Sequence, residues 1–251
     1  MAQNRTVDVL NRVLANRDLR RVLVSYFAFH IAEFGTWVAI LLYAYEATGP
    51  ASVGVVALIQ LLPAALAAAP AAALGDRYPR QRVLTGGYLL QATAMLATAG
   101  AMLAGLPVPI VYAAATVAAT AMVVTRPTQS ALLPSLSRTP DELTAANGAA
   151  GVVEGLGVLV GPLAAAAVLA ATSVGVVFAV AGVVLVLAAL ATAGLRPRTL
   201  RRAPGVDDRP DHPVAGPDTS FLAGLRAVAD DADARLIVGL LTARMVIAGA
   251  A

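Results

Sequence analysis

Long apolar runs broken by short polar stretches organise this chain. Six runs of roughly 20 apolar residues, the length that carries a helix across a hydrocarbon core of about 30 Å, fall at 22–45, 52–74, 83–105, 108–125, 148–171 and 174–195. A seventh begins near Leu236 and runs to Ala251. None of the runs shows the apolar/polar alternation of barrel strands, and in lipid only helices or closed barrels satisfy their own backbone. The pattern therefore predicts an all-α membrane protein. Abundant Ala and Gly within the runs suit close helix packing, because small residues let backbones approach where burial in lipid gives no driving force.

The breaks are of two kinds. Residues 46–51, 106–107 and 172–173 are short and hold one acid and no base. The others hold arginine: Arg5, Arg12, Arg17, Arg20 and Arg21 before the first run, Arg77, Arg80 and Arg82 between the second and third, Arg126 and Arg138 between the fourth and fifth. Seven more, Arg196, Arg198, Arg201, Arg202, Arg209, Arg226 and Arg235, follow the sixth. All 18 basic residues are arginine, and only Arg244 falls inside a run, leaving 17 on alternate linkers that must share one face of the membrane. The positive-inside rule makes that face cytoplasmic. The expected organisation is a cytoplasmic lead-in over 1–21, six spans over 22–195, a cytoplasmic linker over 196–235 and a truncated seventh span over 236–251. Pro, Arg and Asp dominate 196–217, and Phe221, Leu222, Leu225 and Val228 then share one face of an amphipathic helix.

Composition narrows the function. Hydrophobic residues make up 59% and charged residues 13% of the 251, against about 25% charged in soluble domains. The first 21 residues are too long and too charged for the n-region of a signal peptide. There is no cysteine, and His30 and His212 lie far apart, so no disulfide, metal site or cofactor is expected. The excess of base follows topology, which argues against a nucleic-acid partner. Paired acids, a nucleophile elbow and a phosphate loop are all missing from the sequence, so an enzyme is not expected.

Ionisable groups at membrane depth are costly and mark function. His30, Glu33, Glu154 and Arg244 lie inside the runs. His30 and Glu33 are three apart and so share a helix face, which Tyr26 and Trp37 extend by a turn each way. Such a face belongs on a cavity, where a carboxylate's proton affinity is raised by desolvation and lowered by a cationic neighbour. The pair is expected to load and release a proton; the plainer reading is a hydrogen bond across a helix interface. Glu154, among Gly151, Gly155 and Gly157, is a second proton site, a contact to a cationic substrate, or a structural partner for a base in the missing half. Tyr43 and Tyr45 read as interfacial anchors, Gln60 and Gln91 as interhelical hydrogen bonders.

Three stretches resemble the major facilitator superfamily of secondary transporters, and within it the bacterial macrolide-efflux and drug-antiporter group. "ALGDRYPRQR" is similar to the family's cytoplasmic signature, supplying Leu74, Asp76, Arg77 and Arg80, with Ala72, Pro79 and Gln81 at departing positions. The antiporter signature of the fifth span maps onto Gly148, Gly157, Gly161 and Pro162, its closing glycines replaced by Ala165 and Ala166. The linkers "RPTQSALLPSLSRTPDELTAANG" and "SFLAGLRAVADDADARL" look like those of the macrolide-efflux group. Many proton-coupled relatives carry an arginine inside the fourth span. Here "VPIVYAAATVAATAMVV" has none, and Arg126 is expected at the cytoplasmic end of that span, a poor substitute.

The resemblance implies the six-helix N-terminal half of a major facilitator fold, followed by a cytoplasmic linker and the start of a seventh helix. It implies a C-terminal half of the same protein as partner, and an echo between "DLRRVLV" (18–24) and "DARLIVG" (233–239) fits such repeat construction. By the same resemblance Asp76, Arg77 and Arg80 form a cytoplasmic gate, and the four signature residues pack helices. The expected activity is proton-coupled efflux of an amphipathic small molecule from the inner membrane, by alternating access. Importer, uniporter, or a transporter-like sensor carrying a further module remain as rivals.

Overall fold

The computed structural model describes Val13, residues 15–123 and 125–195, and Leu236 and Leu240; over 68–76 only the helical backbone is described. Helices fill this region, and there is no strand among the described residues. In chain order they are α1 (Arg17–Thr48), α2 (Pro50–Arg77), α3 (Arg80–Leu103), α4 (Val108–Met122), α5 (Thr125–Leu136), α6 (Pro140–Leu169) and α7 (Val174–Ala193). Met1–Leu200 form one compact unit and Arg201–Ala251 a second, of which only the helical, exposed Leu236 and Leu240 are described. The linker over 196–235 and most of the seventh run, Arg244 included, lie outside the described residues.

Local chemistry sets the helix ends. Asn16 caps α1, its Oδ1 accepting from the backbone N–H groups of Asp18 and Leu19. Thr139 caps α6 by accepting from Glu142 N–H, with Pro140 at the first helical position and Asp141 and Glu142 in the first turn. At the end of α3, Gly105 adopts φ 65°, and the N–H groups of Leu106 and Gly105 bond to the carbonyls of Ala101 and Met102. This paired closure needs a left-handed residue, which glycine provides without steric cost.

The helices overrun the apolar runs on the arginine-rich side. The break between the second and third runs shrinks to Tyr78 and Pro79, because α2 extends through Arg77 and α3 starts at Arg80. The expected linker from Arg126 to the fifth run is mostly helix, with only residues 137–139 between α5 and α6. Among the described residues, five segments are long and apolar enough to cross a membrane, α4 and α5 together counting as Val108–Leu136; α3 is less apolar. At 24 residues, it still reaches roughly 36 Å. Pro127 in the first turn of α5 has no N–H to offer the Val123 carbonyl, so one bond of the helical ladder is missing where α4 meets α5.

The chain is apolar outside as well as inside. Leu58, Leu62 and Leu66 on α2, and Leu159 and Leu163 on α6, are all more than half exposed, as suits a surface bathed in lipid. Inside, small residues bring backbones together: α3 lies along α7, and α1 packs against α6 and α7. A Cβ placed on Gly35 would lie 3.0 Å from the Gly161 carbonyl oxygen, and one on Gly161 would lie 3.1 Å from the Gly35 nitrogen.

Hydrogen bonds show which helix ends lie together. Asn16 reaches the Leu136 carbonyl, Arg80 the Ala131 carbonyl, and Gln81 the Thr192 and Ala193 carbonyls. The arginine-bearing ends of α1, α2, α3, α5, α6 and α7 thus share one end of the bundle. At the other end, Thr48 and the Tyr112 hydroxyl lie 3.4 Å apart and the Tyr43 ring meets Tyr112 edge-on.

Candidate functional site

The polar centre of the bundle is built by three helices. Glu33, near the middle of α1, uses one oxygen, Oε2, to accept from His30 Nδ1 at 3.1 Å and from Arg126 Nη2 at 2.9 Å. Arg126 Nη1 extends toward Glu154 Oε1 at 3.4 Å, and Glu154 lies near the middle of α6. One guanidinium is therefore shared by two carboxylates. Arg126 and Glu154 are each 42% exposed and Glu33 21%, so the cluster is open on one side. With His30 neutral, the three charges sum to one surplus negative charge.

His30 is fully buried. Its ring meets Tyr26 edge-on at 4.2 Å and stacks against Phe34 at 5.8 Å. Gly157 admits it: a Cβ there would fall 2.3 Å from His30 Cβ. With Glu33 ionised, Nδ1 carries the proton and donates it, which leaves Nε2 as a buried nitrogen without a hydrogen-bond partner. Through His30 and Glu33, the packing of α1 on α6 is coupled directly to the charge cluster.

A cavity of about 400 Å³ adjoins the cluster, lined among others by Glu33, Trp37, Gln60, Met95, Arg126 and Phe178. Its wall is apolar and aromatic with a few polar groups set into it, as in sites for small molecules. Gln60 is buried on this wall. Gln91 lies behind it, where its Nε2 donates to the Ala121 carbonyl at 3.1 Å and to the Thr125 hydroxyl, tying the end of α4 to the start of α5. The Tyr88 hydroxyl donates to Gln129 Oε1 at 3.4 Å one turn further on.

The structure revises several expectations. Arg126 does not sit at the end of a span: it lies ten residues inside the end of α5, roughly 15 Å along the axis. Glu154, for which one reading is a structural partner in the missing half, instead meets this arginine within the same bundle. Hydropathy missed it because "TRPTQS" reads as a polar linker, yet Thr125, Thr128, Gln129, Leu132, Leu133 and Leu136 are buried at helical spacing. That periodicity, polar and apolar positions counted together, was the available signal. Of the helix-packing signature, Gly157 and Gly161 meet α1 and Pro162 lies within α6, whereas Gly148 is exposed with open space around it. Of the gate residues, Arg80 is engaged with α5, Arg77 is exposed, and the Asp76 side chain lies outside the described residues. Tyr26 sits against His30, and Trp37 opens onto the cavity beside Glu33.

A lipid-facing helical bundle with charged groups at mid-depth beside a cavity defines a polytopic membrane protein of the transporter class. The chain belongs to the Major Facilitator Superfamily, whose family model matches residues 22–251. It is thus a multi-pass membrane protein and a secondary transporter. No curated protein matches the sequence.

Proposed function

We propose that this chain belongs to a proton-coupled exporter of amphipathic small molecules, of the macrolide-efflux and drug-antiporter kind, in the inner membrane with its arginine-rich end in the cytoplasm. The observation that carries the reading is the sharing of Arg126 between Glu33 and Glu154 beside a cavity. Two carboxylates and one guanidinium leave one unit of negative charge at a depth where charge is costly. A proton on Glu33 removes that surplus and its hold on Arg126, which then pairs with Glu154 alone. Loss of the proton draws Arg126 back. His30 steadies the Glu33 carboxylate through Nδ1, while Tyr26 and Trp37 flank it.

Coupling requires that proton and substrate prefer different conformations. In this reading protonated Glu33 favours one access state and substrate in the cavity the other, the bundle rocking against a second six-helix half. Asp76, Arg77 and Arg80 gate the cytoplasmic end, and Gly157, Gly161 and Pro162 let α6 slide closely on α1. The apolar lining supports amphipathic substrates.

The test is export of ethidium, a fluorescent amphipathic dye, into inverted vesicles energised by a proton gradient. Glu33→Gln should abolish gradient-driven accumulation while leaving dye exchange without a gradient. Arg126→Lys should also fail, because a point charge on a flexible stem does not span two carboxylates as a planar fork does. Gradient-driven export unchanged in Glu33→Gln refutes the proton assignment.

A further inference from the structure

The three helices that meet at the charge cluster meet a second time. At the arginine-rich end, Asn16 Nδ2 donates to the Leu136 carbonyl at the end of α5 (3.0 Å) and to Glu142 Oε1 in the first turn of α6 (2.9 Å). Its Oδ1 meanwhile accepts from Asp18 N at 3.2 Å and Leu19 N at 3.4 Å at the start of α1. A side-chain amide offers two donor hydrogens and two acceptor lone pairs, so Asn16 uses its full capacity. Glu142 closes the node: Oε2 accepts from Arg138 N at 2.5 Å, and Asn16 and Glu142 are only 5% and 4% exposed. Such a buried, fully satisfied polar node is geometrically demanding.

We propose that Asn16 and Glu142 are positioning residues that set the axial register of α5 against α1 and α6, and so hold Arg126 between Glu33 and Glu154. The inference rests on the functional reading above for its effect on transport, though not for its effect on geometry. α1 and α6 are already locked by backbone contact at Gly35 and Gly161. α5 shows no such glycine contact with α1 or α6 among the described residues, so its register depends on the side chains that grip it: Tyr88 through Gln129 and Arg80 through Ala131 along its length, besides those at its ends. Gln91 holds the first end through Thr125, and the Asn16 node holds the last through Leu136. A slip of one residue moves Arg126 by about 1.5 Å. Taken across the 2.9 Å contact with Glu33, that slip lengthens it to about 3.3 Å, beyond the roughly 3.2 Å reach of a hydrogen bond. The titratable side chains facing Arg126 are Glu33, His30 and Tyr26 on α1 and Glu154 on α6.

Asn16→Asp tests this, because aspartate caps a helix as well as asparagine does but presents oxygens where Leu136 and Glu142 need donors. Spin labels at Val24→Cys on α1 and Ser130→Cys on α5 read the register directly, residues 1–251 holding no cysteine. Asn16→Asp should change that distance by about 1–2 Å, one residue step. In proteoliposomes it should move the pH midpoint of ethidium transport by about half a unit, a threefold change in proton affinity, with the dye KM within about twofold. Glu142→Gln, which turns one acceptor into a donor facing Arg138 N–H, should act in the same direction and serves if Asn16→Asp does not insert. An unmoved distance, or an unmoved pH midpoint despite lowered thermal stability, overturns the proposal. Glu33→Gln with normal proton-driven export would instead refute the functional reading, and the spin-label distance would still judge the node.

Discussion

Gly157 is where packing and chemistry meet most tightly, so alanine at that position gives the sharpest test of the architecture. Its added Cβ would lie 2.3 Å from His30 Cβ, 3.3 Å from His30 Cγ and 3.4 Å from the His30 carbonyl carbon. Carbon atoms rest at about 3.5–4.0 Å, so α1 and α6 must part by roughly 1.2–1.7 Å. The first atom met is fixed to the backbone and has no rotamer through which to yield. Overpacking of this kind costs about 1–3 kcal/mol, and Gly157→Ala belongs at the upper end. Part of that is offset by alanine's higher helix propensity, worth up to about 1 kcal/mol. A net loss near 2 kcal/mol lowers the melting temperature by roughly 4–8 °C for a domain of this size. The displacement also carries Glu33 away from Arg126, so transport should fall more steeply than stability. Thermal unfolding of the detergent-solubilised protein, alongside dye export, measures both. Gly86→Ala and Gly100→Ala are the controls, since nothing lies within 4 Å of a Cβ at either, and alanine there should be neutral or slightly stabilising. If Gly157→Ala melts with these controls, α1 and α6 are not in contact as described, and the argument that their approach positions His30 and Glu33 fails.

Two further outcomes are expected. Gln91→Leu removes the donor to the Ala121 carbonyl and the Thr125 hydroxyl; leaving such buried groups unmatched costs about 1–3 kcal/mol, and the loss should appear as a lower melting temperature, with Gln91→Glu not restoring it because the donor is absent. Single cysteines at Tyr78 and Leu106, each in a linker at an opposite end of the bundle, should react with an impermeant maleimide from opposite faces of the membrane. Tyr78→Cys should label in inverted vesicles and Leu106→Cys in intact cells; the reverse pattern would overturn the orientation drawn from the arginines.

Much of the architecture is written in the chain itself. Runs of about 20 apolar residues separated by polar breaks force spanning helices, because lipid offers no partner to an unpaired backbone group. The alternation of arginine-bearing and arginine-free linkers assigns the described breaks to two ends, and the hydrogen bonds of Asn16, Arg80 and Gln81 place the arginine-bearing ends together. The pairing of His30 with Glu33 also follows locally, since residues three apart share a helix face. The chain cannot by itself decide where Arg126 goes. Hydropathy counts polar residues as exposed, whereas Thr125, Gln129 and Arg126 turn inward to Gln91, Tyr88 and Glu33 and are satisfied there. A polar side chain with a partner can extend a span that its own hydropathy would end. That partner lies 93 residues away for Arg126 and Glu33, and 126 for Asn16 and Glu142, a separation no local pattern spans. The all-helical class and the gathering of arginine-bearing breaks thus follow from the solvent each residue prefers, while the charge cluster and its bracing node arise only when three helices pack and choose which distant polar groups meet.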